Sequence, residues 1–98
     1  MTTDTKVLLA PVIDQPKAGA TVENKVRFKG TGEAGAVVTV TTVEGNHLVL
    51  KTPVLADGTW TGTAPENLPK GLITVSALQT LPNGVGSPAS RDRKFKVE

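Results

Sequence analysis

Polar and apolar residues alternate with a period of two along most of this chain. Residues 25–30, KVRFKG, set Val26 and Phe28 on one side and Lys25, Arg27 and Lys29 on the other. That is the pattern of a half-buried strand. Residues 36–43 place Val38 and Val40 inward, and residues 59–64 place Trp60, Gly62 and Ala64 on one face. Residues 72–80 turn Ile73, Val75 and Ala77 inward, and residues 91–97 turn Phe95 and Val97 inward. Two further runs contain proline. Residues 7–16 carry Pro11 and Pro16, which confine them to an edge or to two short pieces, and residues 48–56 are broken at Pro53. No window shows apolar positions at helical spacing. The pattern predicts seven strands about 8–12 residues apart, an all-β sandwich of two antiparallel sheets.

Between the strands lie turn signals. Gly45-Asn46 fits a two-residue hairpin with glycine first, and Asp57-Gly58 fits another. Residues 65–71 and 81–90 read as loops. Gly30, Gly32 and Gly35 form a G-x-G-x-x-G, the spacing of the dinucleotide-binding fingerprint. That fingerprint needs a helix opening within it, whose free N–H groups face the pyrophosphate. Here the next eight residues are one Ala, four Val and three Thr. Seven of these are β-branched and favour a strand. The glycines are therefore read as a corner between two sheets. Gly30 and Gly32 would supply unusual backbone angles, and Gly35 a positive φ.

Ninety-eight residues suit one domain, taken as residues 10–98 behind a flexible segment at 1–9. Only Phe28, Trp60 and Phe95 are aromatic, so the core needs all three. The net charge of +2 is too balanced to argue for nucleic acid. Cysteine is absent, which excludes disulfides and thiolate metal sites. No apolar run is long enough to insert in a membrane, and the start has no hydrophobic signal region.

The order "GTGEAGAVVTVT", "ADGTWT", "LPKGLITVSALQT", "GVGSPAS" and a closing "FKV" resembles bacterial immunoglobulin-like (Big) domains. The likeness covers about residues 10–97. It implies an immunoglobulin-like sandwich of a longer bacterial surface or secreted protein, used for spacing, stalk-building or adhesion. It implies neither a catalytic site nor a cofactor. Ile73 departs from the aromatic common in the family at this place, so a tyrosine corner is not expected.

The candidate chemistry is sparse. His47 is the only histidine and lies in a turn, read as solvated. With seven alternating strands, Glu33, Asp57 and Asn83 share one pole. They could hold an ion or touch a neighbouring domain, although each also suits a solvated turn. Trp60 could be a sugar platform, but Thr59 and Thr61 flank it as the outward partners, which favours core. Arg91, Arg93, Lys94 and Lys96 could meet an anionic partner, or could protect an edge strand from aggregation. The expectation is a non-enzymatic, extracellular or cell-surface module. Its partners would be neighbouring domains of the same chain, with a host protein or glycan as a further class, and it would be monomeric in isolation. An odd number of reversing strands sets the two ends at opposite poles. The alternative is a carbohydrate- or protein-binding accessory module that uses the loops at one pole and is attached to an enzyme.

Overall fold

The computed structural model describes residues 9–23, 25–64 and 68–98. All regular structure in these residues is strand. The elements are β1 (Val12–Gln15), β2 (Thr21–Val22), β3 (Arg27–Thr31), β4 (Val37–Thr42), β5 (Leu48–Pro53), β6 (Thr59–Thr63), β7 (Gly71–Thr80) and β8 (Arg93–Val97). They form a three-stranded sheet, β1-β3-β6, and a five-stranded sheet, β2-β8-β7-β4-β5. The fold is the expected all-β sandwich, with eight strands instead of seven.

The additional strand comes from the proline-bearing first run. β1 pairs with β3 as far as Gln15. Pro16 has no N–H to continue that ladder. The chain then crosses to the other sheet, where Thr21 and Val22 run parallel to Lys96 and Val97 of β8. Every other pairing is antiparallel. β8 is therefore not an edge strand, because β2 covers its outer side. The edge-protection reading of its cations does not apply.

Both sheets contribute to one core. Val26, Phe28, Val38, Val40, Trp60, Ile73, Val75, Ala77, Phe95 and Val97, all expected inward, are buried. Phe28 of one sheet meets Phe95 of the other edge-to-face, with centroids 5.9 Å apart and rings at 75°, a favourable arrangement of ring quadrupoles. Trp60 is fully buried and its Nε1 donates to the Thr31 carbonyl at 3.0 Å. Ile13, Val49, Leu50 and Val54 join the core as well. Val49 and Leu50 are buried side by side because the β4–β5 register slips there: Val40 opposes Leu50 and Thr41 opposes Leu48.

The corner at residues 32–36 does carry the chain from one sheet to the other, as the glycines suggested. Gly35 has φ +87°. Gly30 is required for a different reason from the one expected. Its φ is not positive, but Trp60 and the Val12 carbonyl leave no room for a Cβ. Two turn readings also need correction. Asp57-Gly58 is not a hairpin turn, since β5 and β6 lie in different sheets. Gly45 and Asn46 both have positive φ, 76° and 51°, within a longer connection between β4 and β5 closed by Thr42 N donating to His47 O.

The register fixes two poles. Val12, at the start of β1, opposes Thr31, which opposes Thr59. Val37, at the start of β4, opposes Thr80 at the end of β7. These residues mark the lower pole. Val97, at the end of β8, opposes Gly71 at the start of β7, which marks the upper pole. β1 begins and β8 ends at opposite poles, separated by the ten residues of β7, or about 30 Å at about 3.3 Å per residue.

Candidate functional site

Three connections meet at the lower pole, and they hold Glu33, Asp57 and Asn83. The first two are stitched together by the backbone. Gly32 N donates to Gly58 O at 2.9 Å, and Val54 N donates to Ala36 O at 2.8 Å. The third is tied in by a side chain. Gln79 Oε1 accepts from Glu33 N at 2.8 Å, while Gln79 N takes the hydroxyl of Ser87 as its acceptor at 2.9 Å. The pole predicted from strand direction is thus physically continuous.

The Asp57 and Asn83 side chains serve their own turns. Asp57 Oδ1 accepts from both the hydroxyl and the backbone N–H of Thr59, at 2.6 and 3.0 Å. These bonds stabilise the carboxylate, chiefly the hydroxyl bond, and hold the Asp57 pKa below the ordinary carboxyl value. Asn83 Oδ1 accepts from Val85 N at 3.0 Å. Both are Asx-type turns, which account for an Asp and an Asn at these positions. Among the described residues, no three His, Cys, Asp or Glu side chains are grouped so as to hold a metal ion.

The cations of β8 divide by face. Lys94 and Lys96 point outward and are exposed, as is Arg91. Arg93 departs from the expected patch. Strand alternation turns it toward the opposite sheet, where its guanidinium donates to Ile13 O at 2.6 Å and Pro16 O at 3.3 Å. It acts as a tie within the fold. An anionic surface would meet Lys94 and Lys96, with Arg91 beyond the strand.

At the upper pole, a groove of about 1140 Å³ opens beside β5, lined by Leu48, Leu50, Leu68, Leu72, Ile73 and His47 among others. His47 is exposed at the mouth, and Leu48 and Leu72 are the most exposed apolar residues there. Residues 65–67 of the loop expected at 65–71, and residues 1–8 of the flexible segment expected at 1–9, lie outside the described residues.

Gln79 is the residue that the pattern reading passed over. It is buried, and it uses both ends of its amide: Oε1 on Glu33 N and Nε2 on the Leu9 carbonyl, the latter at 2.6 Å. The signal was present. The inward series Ile73, Val75, Ala77 continues to position 79, and a polar side chain on a buried face must find partners.

No protein-family model matches the chain. No curated protein matches it. Solved structures do. A BSP domain of a biofilm-associated protein superimposes with a TM-score of 0.69 at 21% identity, over 92% of this chain and 14% of that one. CopC from Methylosinus trichosporium OB3b gives a TM-score of 0.56 at 19% identity, over 90% of this chain and 93% of CopC. A protease chain gives 0.57 at 13% identity, over 93% of this chain and 18% of its own length. This chain therefore spans only a small part of two of these three neighbours. At such identities the likeness is one of fold, and it places this chain among small β-sandwich domains.

Proposed function

We propose that this domain is a non-enzymatic, immunoglobulin-like spacer or adhesion module of a longer bacterial surface or secreted protein. The observation that carries the reading is the position of the two ends. A chain that enters β1 at the lower pole leaves β8 at the upper pole. Each copy in a row would add its own length to the whole. The chemistry is consistent with this role. Asp57 and Asn83 of the lower pole are engaged in turns, and His47 stands exposed in the connection between β4 and β5, where its backbone N–H donates to the Thr42 hydroxyl. The likeness in fold to a biofilm-associated protein's BSP domain, of which this chain matches 14% of the solved chain, supports the same reading.

In this arrangement the preceding module meets the lower pole, at Glu33, Asp57 and Asn83. The following module meets the upper pole, near residues 44–47 and 68–70. The test is small-angle scattering on one copy and on two copies joined in tandem. The single copy should be a monomer, and the pair should lengthen by about one domain, a few nanometres. A side-by-side compact pair would refute the spacer. So would a single copy that dimerises through well over about 1,000 Å² of apolar surface, the size of a dedicated interface.

A further inference from the structure

We propose that Arg93 is a mechanical latch: it fastens the N-terminal limb of the domain to the last strand, so that tension along the chain is met in shear. The limb from Leu9 to Val22 is held to the five-stranded sheet by a series of ties. Gln79 Nε2 donates to Leu9 O at 2.6 Å. Arg93 donates to Ile13 O and Pro16 O. Backbone bonds follow: Gly19 N to Lys94 O and Lys96 N to Ala20 O, both 2.8 Å, and Glu98 N to Val22 O at 2.9 Å.

The direction of these ties gives them their consequence. β2 and β8 are parallel. A pull on the two chain ends draws β2 toward the lower pole and β8 toward the upper one. The strands must then slide past each other, and inter-strand hydrogen bonds lie across the strands. All of them are strained together instead of opening one by one. β2 has only two residues, so its ladder is short. Arg93 extends the tied region across the gap between β1 and β2, where Pro16 interrupts backbone pairing. Its bonds are charge-assisted, and two acceptors on the same limb engage one rigid planar group. Lysine could not reproduce that fork.

The spacer reading gives the latch a purpose, but the two are tested separately. The protein has no cysteine, so single thiols can serve as handles in single-molecule pulling. One direction uses the two chain ends. The other uses Lys70→Cys and the C-terminal end, both at the upper pole, which unzips β8 from β7 starting at Val97. In the wild type, the end-to-end pull should require the higher force. Arg93→Leu should speed unfolding under end-to-end force by about tenfold or more, and by less than about twofold in the unzipping direction. Arg93→Lys should recover only part of the loss. Equal acceleration in both directions would mean that Arg93 contributes ordinary stability, and it would overturn the latch. No acceleration along the chain would overturn it too. If Arg93→Leu does not fold, the wild-type comparison decides: an end-to-end force no higher than the unzipping force refutes the proposal. Failure here would leave the tandem scattering result standing, and the reverse also holds.

Discussion

Gly30 lies under the indole of Trp60. A Cβ built on Gly30 would come within 2.6 Å of Trp60 Cζ2 and would overlap the Val12 carbonyl oxygen. The two residues face each other across the β3–β6 ladder. The largest side chain of the core is therefore accommodated by a missing one.

Substitution on either side of this contact should be costly. Trp60→Ala removes a fully buried ring and should cost about 3–5 kcal/mol, a large part of the roughly 5–15 kcal/mol of a typical domain. Gly30→Ala should destabilise comparably, because one of its neighbours is backbone that the β1–β3 pairing fixes. Chemical denaturation measures both. A Gly30→Ala variant as stable as wild type would show that both Trp60 and the β1 backbone at Val12 have room to move.

Gln79→Leu should destabilise by about 1–3 kcal/mol, although leucine suits a buried face. The change takes away the donor to Leu9 O and the acceptor of Glu33 N, and neither loss is recovered by an apolar side chain. Amide exchange at Glu33 should accelerate beyond the global change. Unaltered exchange there, with only a uniform loss of stability, would mean that the side-chain amide merely fills space.

The acid limb of stability should involve Asp57. Its folded pKa is lowered, principally by the Thr59 hydroxyl. A lowered carboxyl pKa contributes stability above the unfolded value, about 3.9 for Asp. That contribution is lost as pH falls through the folded value. Thr59→Val should move the Asp57 titration upward toward the ordinary range while the backbone bond persists. Carboxyl-carbon NMR shifts read this directly, and an unchanged midpoint would contradict the assignment.

The G-x-G-x-x-G corner should give no binding heat with NAD. Three of its amides and that of the residue after it are already committed: Gly32 N to Gly58 O, Glu33 N to Gln79 Oε1, Gly35 N to Val54 O, and Ala36 N to Glu33 O. A pyrophosphate would find few N–H groups to bind. Gly35→Val should instead lower stability, because it forces a β-branched residue to φ +87°. Saturable binding abolished by that variant would reverse this reading.

The sequence by itself determined the class of fold and the buried face of its main strands. Side chains on a strand alternate with a period of two, so Val26, Phe28, Val38, Val40, Val75, Phe95 and Val97 declare their side through their neighbours alone. Strand direction also set Glu33, Asp57 and Asn83 at one pole. Local pattern could not decide which strand lies beside which, because that depends on contacts distant in sequence. Only the tertiary structure splits the first run between two sheets, brings Thr21 and Val22 alongside β8, and so removes β8 from the edge. The same holds for Arg93, which reads as one more surface cation in RDRKFK. Its partners are the carbonyls of residues 13 and 16, 80 and 77 positions away. A charged side chain on an inward position is legible as an anomaly. The backbone groups that satisfy it are known only once the sheets have closed on each other.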